Sequence, residues 1–447
     1  MTTDAQALPD GAVAAGDETA VVQPVALEDA TRWRILFYLA ALILIGGFGA
    51  PQGGLIDIPI SFFLKNKLHL DAPQVALFRL ASGVPLYGSF LFGFVRDTWN
   101  PFGMRDRGYL VIFGVVCSAI YVAFAFSSVS YWTLLAAVVV LTCAYSFVSS
   151  ASNGLTATLG QQHVMSGQVS TVFNVVASVP IIAALVAGGY LSDFLEHSHQ
   201  GMRILFLTGA VVMAMLALYG LWRPKVVYDN VHAELGPKSH PLHDIARLFG
   251  YWPIYPALLI WLLWNFAPGA ATPLQFFLQN ELHAPDSVYS NWNAIFAASF
   301  LPTFFLYGWL CTRYPLRPLL FWGAVVAVPQ MVPLLFIHTP SQALIAAFPI
   351  GLMGGVCSAA YTDLLIRSCP RGLQGTILMF SVSLYWVASR FGDILGTWLY
   401  ARFHGFTVCV IAITIVYALI LPALWLVPRR LTATADGEAP EGGFATQ

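Results

Sequence analysis

Charge is scarce in this sequence, and what there is comes in short clusters. Asp, Glu, Lys and Arg together make up 10% of the 447 residues, against 58% apolar ones, and mean hydropathy is +0.71. A soluble domain carries about a quarter of its residues charged, so the composition excludes an ordinary water-soluble fold and points to a chain folded in lipid. The net charge of -1 leaves no basic face for a phosphate backbone, and nucleic acid is not an expected partner. No Lys or Arg precedes Arg32, so residues 1–31 lack the basic start and apolar core of a cleaved signal, and the first apolar helix is expected to be retained. Cys117, Cys143, Cys311, Cys357, Cys369 and Cys409 are scattered without metal-ligand or disulfide spacing and read as small buried hydrophobes. The ten histidines fall in loops or at the ends of apolar segments, and His197 and His199 lack a third ligand. Nucleotide-binding loops, zinc signatures and nucleophile motifs are missing too. No enzyme activity, cofactor or metal is expected.

What is present is apolar length. Windows of about 19–25 residues, enough to span a bilayer core, pick out twelve segments: 34–64, 73–95, 108–128, 132–157, 168–191, 202–222, 250–279, 287–311, 317–337, 342–365, 374–400 and 406–428. The polar stretch 223–249 divides them six and six. The expected fold is an all-α membrane protein with twelve transmembrane helices in two six-helix pseudo-repeats, one over 32–222 and one over 250–430. Residues 1–31 and 431–447 are too polar to bury a core and are expected to be disordered. Leu242, Ile245, Leu248 and Phe249 suit an amphipathic helix on the membrane surface at the end of the linker.

Orientation follows from the basic residues. With a cytoplasmic N-terminus, fifteen of the 21 Lys and Arg fall in inner segments and four in outer loops, while Arg79 and Arg390 lie within helices. The positive-inside rule then places both termini in the cytoplasm of a multi-pass inner-membrane protein.

An internal repeat supports the halves. Phe62-Phe63-Leu64-Lys65-Asn66-Lys67-Leu68-His69 is matched by Phe276-Phe277-Leu278-Gln279-Asn280-Glu281-Leu282-His283, each ending the first segment of its half. The first, fourth, seventh and tenth segments carry runs that break helices: Gly46 to Gly54, Ser149 to Gly154, Asn265 to Pro273, and Gly351 to Gly355. Such runs either line a shared cavity or let helices pack closely.

Ionisable residues within the spans cost roughly 2.5–3.5 kcal/mol each at the bilayer centre, so each is a functional candidate. They are Asp57, Arg79, Asp363, Arg390 and Asp393. Arg390 and Asp393, three apart, share a helix face and are able to neutralise each other. Cavity candidates are Gln52, Asn153, Trp264, Asn265, Gln275, Asn293, Tyr361 and Tyr385, a mixture of amides and aromatic faces suited to a flat or partly polar small molecule.

The densest charge lies between Arg96 and Arg107, after the second segment. Gly93, Asp97, Gly103, Arg105 and Arg107 in that loop resemble the signature of the major facilitator superfamily, Gly-x-x-x-Asp followed by basic residues. With Pro85, Tyr109, the Phe63 to Leu68 stretch and Pro370-Arg371-Gly372, they resemble more narrowly the folate-biopterin transporters and muropeptide permeases. Asp106 stands where that pattern has its middle arginine, Ser89 and Phe90 where it commonly has Lys-Pro, and Asn153 where it tends to be acidic. In the second half Thr312 stands where a counterpart of Asp97 is expected.

The resemblance implies secondary transport of a small organic solute by alternating access, proton-coupled, by a monomer in the bilayer. It implies that segments 1, 4, 7 and 10 line the cavity. It also brings Arg79 near Arg390 and Asp393 at the outer gate, and Asp97 near the start of segment 11. Uncoupled facilitation or export, and a non-transporting assembly factor or sensor on the same fold, are the alternatives.

Overall fold

The computed structural model describes residues 27–70, 72–128, 130–197, 200–228, 250–403 and 405–438. The outer part of the N-terminal tail, the remainder of the linker with its expected amphipathic helix, and residues 439–447 lie outside them. Among the described residues every regular element is helical.

The first half begins with α1 (Asp29–Gly49) and α2 (Asp57–Asn66), which together form the first segment. The second is a run of three, α3 (Ala72–Ser82), α4 (Val84–Tyr87) and α5 (Phe90–Thr98). Then come α6 (Asp106–Ala125), α7 (Tyr131–Gln162), α8 (Ser166–His197), α9 (Gly201–Leu221) and the short α10 (Lys225–Tyr228). The second half opens with α11 (Ile254–Asn265) and α12 (Thr272–Phe276), and continues through α13 (Asp286–Leu310), α14 (Leu316–Ala327), α15 (Pro340–Ser368), α16 (Gln374–Phe403) and α17 (Thr407–Ala418). The short α18 (Ile420–Ala423) and α19 (Arg429–Thr432) close the described chain. Nine helices among the described residues are long and apolar enough to cross a membrane. The other expected spans, α3 to α5, α11 with α12, and α16, are helical as well.

Polar residues set the helix ends. Ser130 caps α7 in a reciprocal box with Thr133, which satisfies two otherwise orphaned N–H groups. Thr339 accepts from Gln342 N–H at the start of α15, where Pro340 occupies the first helical position. Within the halves α6 packs on α9 and α7, and α13 on α15. Between the halves the main seams are α16 against α5 and α7, and α8 against α13.

The repeat is visible in the backbone. Leu68 N–H bonds Phe63 C=O and Leu282 N–H bonds Phe277 C=O, both at 3.2 Å; Leu70 N–H bonds Leu64 C=O and Ala284 N–H bonds Leu278 C=O. His69 and His283 both take φ of 51°, so the same left-handed turn ends both motifs.

Two expectations are corrected. Segments 1 and 7 do break, between Gly49 and Asp57 and between Asn265 and Thr272, but segments 4 and 10 run unbroken as α7 and α15. Their small residues serve packing instead: a Cβ at Gly351 would strike the Ser299 hydroxyl and Phe296 C=O of α13. The tail is the second correction. Residues 431–438 are ordered, with Leu431, Thr432, Ala435 and Asp436 buried, because Asp436 finds buried polar partners that its composition did not reveal.

Candidate functional site: the charged loop and the helix breaks

The face of the molecule that carries the charged loop is where the two halves are joined. Asp97, at the end of α5, reaches across the seam to the first turn of α16. Gly375 N–H donates to Asp97 Oδ1 (3.2 Å), while Thr376 N–H and the Thr376 hydroxyl both donate to Oδ2 (2.7 Å each). The first N–H groups of a helix have no partner within it and sit at the positive end of its dipole, so a carboxylate there is doubly favoured. Arg96 Nη1 holds the same Oδ1 at 2.6 Å, and Arg96 Nε holds Asp106 Oδ1 at 2.6 Å. The side chains of Asp97 and Asp106 are only 1% exposed, which puts these bonds among the stronger ones available to a protein, roughly 1.5–3 kcal/mol each. The closeness depends on Gly93, where a Cβ would strike the Gly375 carbonyl and Thr376 Cα.

The rest of the loop is scaffolding for this clasp. Gly103 takes φ of +70° with open space around it, and Arg105 N–H bonds Asn100 Oδ1 at 2.7 Å. Arg107 turns to the carbonyl end of α9, donating to Gly220 C=O (3.1 Å) and Leu221 C=O (2.6 Å), a cation at the negative end of a helix. The Tyr109 hydroxyl closes α5 on Val95 C=O and Trp99 C=O, both at 2.9 Å.

Sequence reading missed much of the lock. Asp106, at the position of the pattern's middle arginine, is the second anion of Arg96. Ser89 Oγ, buried, donates to Met379 C=O at 2.8 Å and meets Ser383 Oγ at 2.9 Å across the seam. Gln161 Nε2 donates to Ile366 C=O and Cys369 C=O (2.7 Å each), and Gln374 Nε2 returns a bond to Gln161 Oε1 (3.1 Å). Asp363 is wholly buried and bound by Arg367 (Nε to Oδ1, 2.9 Å) and by the Tyr307 hydroxyl (2.7 Å). Only the number of polar residues near these segment ends hinted at this.

The helix breaks form the second group. Asp57 opens α2, its Oδ2 accepting from Gly53 N–H (2.9 Å), and Gln52 Nε2 ties this break to Ser82 C=O at the end of α3 (2.8 Å). Asp393 caps the restart in segment 7, accepting from Thr272 N–H (2.9 Å) and the Thr272 hydroxyl (2.8 Å). Its oxygens are therefore engaged by Thr272, in place of the pairing with Arg390 that their spacing allows. Arg390 is half-buried in α16, its Nε without a hydrogen-bond partner among the described residues. Arg79 is exposed in the last turn of α3.

Among the cavity candidates, Trp264 stacks on Tyr417 (4.9 Å between centroids) and meets Tyr361 edge-on (5.6 Å). Asn265 Nδ2 bonds Trp261 C=O, Asn293 Nδ2 bonds Tyr289 C=O, and Asn153 Nδ2 faces Ser149 Oγ and Met379 Sδ. Tyr385 is 42% exposed and Gln275 half-buried in α12.

The comparisons with known proteins agree with this architecture. Over 434 residues the chain is 24% identical to a folate-biopterin transporter of Synechocystis sp., covering 91% of this chain and 84% of that one. It is 22% identical to sugar efflux transporter B of Salmonella typhimurium (84% and 93% covered) and 23% identical to probable folate-biopterin transporter 7 of Arabidopsis thaliana (81% and 85%). Among solved structures, a proton:xylose symporter of the superfamily matches with a TM-score of 0.66 at 15% identity, over 91% of this chain and 98% of that one. Residues 165–392 match the family model of the Major Facilitator Superfamily, and the chain, a multi-pass membrane protein, belongs to that superfamily of transporters.

Proposed function

We propose that the protein moves a small organic solute across the inner membrane by alternating access, coupled to protons, with both termini in the cytoplasm. The observation that carries this reading is the clasp of Asp97 on α16. The two halves are held on one face by polar bonds at helix ends, a joint that separates and reforms without exposing a large apolar seam. Fifteen basic residues on that side support its assignment as the cytoplasmic face.

Asp57, Asp393 and Asp363 remain the coupling candidates in that order. Asp57 and Asp393 each hold the restart of a broken helix, so a change of protonation there alters the break itself, whereas Asp363 is engaged by Arg367. The folate-biopterin transporters among the relatives favour a pterin, a flat ring with hydrogen-bonding edges.

The test is uptake of labelled pterins, with sugars in parallel, into proteoliposomes under an imposed pH gradient. Gradient-driven pterin uptake that drops at least tenfold in Asp57→Asn or Asp393→Asn is expected. Uptake indifferent to the gradient and to both substitutions refutes proton coupling, and sugar flux without pterin flux refutes the solute class.

A further inference from the structure

The second seam between the halves, α8 against α13, has its own carboxylate, and it comes from far away in the chain. Asp436 lies in the segment after α19. Gly167 N–H donates to Asp436 Oδ1 (3.1 Å) and Gln168 N–H to Oδ2 (2.8 Å), while Arg367 Nη2 holds Oδ1 at 2.9 Å. These are the second and third residues of α8, as Gly375 and Thr376 are of α16. The arrangement therefore repeats that of Asp97, with two N–H groups at a helix start and an arginine on Oδ1.

Asp97 rises from the helix across the first seam. In the second seam the corresponding place is taken by Cys311, and the expectation that Thr312 holds it is corrected. Cys311 is buried, its side chain lies against Gly167 where a Cβ would touch it, and its Sγ faces Asp436 Oδ2. Thr312 instead bonds Trp309 C=O at the surface. The tail carboxylate is thus seated where the loop offers only a thiol. Three further bonds fix it: Asp436 N–H to Cys311 C=O (2.9 Å), Gly437 N–H to Val164 C=O (2.8 Å), and Arg367 Nη1 to Thr434 C=O (2.9 Å). Val164 belongs to the first half and Cys311 and Arg367 to the second, so the tail straddles the seam.

We propose that the segment Arg429–Glu438 is a latch: Asp436 supplies the helix-capping carboxylate that the second half lacks, and the tail must withdraw before this face opens. In the closed form a buried carboxylate with a buried arginine and two free N–H groups stays bound. Opening separates Val164 and Gly167 from Cys311 and Arg367, and the tail has no site of equal quality on either half alone. The latch rests on alternating access; the test below reads opening of the face, whereas flux reads transport, so the two fail separately.

The reporter is Cys369, 3% exposed beside Gln161 at the closed face, as the sole cysteine of the full-length protein, labelled with maleimide in detergent. Asp436→Ala, and separately truncation after Thr434, are expected to raise the labelling rate at least tenfold with the protein still monodisperse. Cys311→Asp places a carboxylate on the loop itself and is expected to return the Asp436→Ala rate to within about threefold of its parent. Labelling at the parent rate in both the Ala and the truncated proteins overturns the latch. So does acceleration that Cys311→Asp leaves unchanged in a protein of parental melting temperature, because the carboxylate would then not be what closes the seam.

Discussion

Replacing Asp97 by Asn tests the clasp with the least disturbance of shape. The side chain keeps its size and one acceptor oxygen, but the other oxygen becomes an NH2 group facing donors, either Thr376 N–H and hydroxyl or the Arg96 guanidinium. At least one charge-assisted bond is lost, worth about 1.5–3 kcal/mol. With the NH2 group turned to Thr376 the loss falls on the closed form only, since that contact joins the halves, whereas the Arg96 contact lies within α5. At about 1.4 kcal/mol per factor of ten, the equilibrium shifts toward the open face by roughly 10- to 100-fold. Arg96 keeps Asp106, so no buried cation is stranded and folding survives. Maleimide labelling of Cys369 should accelerate by that factor, with flux impaired because the closed state is underpopulated. Parental labelling together with parental flux would refute the reasoning and reduce the loop to a topology signal.

Gly93→Val drives a side chain into the Gly375 carbonyl and should also accelerate Cys369 labelling, while Gly103→Ala, strained in its turn but with open space around it, should change it less than threefold. Arg367→Met strands Asp363 and Asp436 in a buried site, a cost of roughly 3–5 kcal/mol; a melting temperature equal to that of the parent would contradict the pairing.

The spans were legible because lipid leaves few alternatives: a long apolar segment must be helical. The halves were legible because the motif ending at His69 recurs at His283 and forces the same turn twice. Asp97 was legible through its loop. The breaks were only half legible, since glycine serves a kink and a close contact equally well: Gly49 precedes a break, whereas Gly351 admits the Ser299 hydroxyl into an unbroken helix. Asp436 was hidden altogether. Its neighbours Thr434, Ala435, Gly437 and Glu438 have the composition of a solvated tail, and what orders them is Arg367, 69 residues away, and two N–H groups on the other half. Partners this distant leave no local pattern.

The two seams differ in how their carboxylates are carried, and this has a mechanical consequence. Asp97 is built into the rigid end of α5 and moves only as that helix moves, whereas Asp436 sits on the segment after α19, whose withdrawal the latch requires. A pair of jaws held by one fixed knuckle and one removable bolt opens like a door. The bolted edge, α8 from α13, should part first, and the clasp of Asp97 on α16 after it. Spin-label pairs across each edge would show the first distance lengthening in Asp436→Ala while the second stays put.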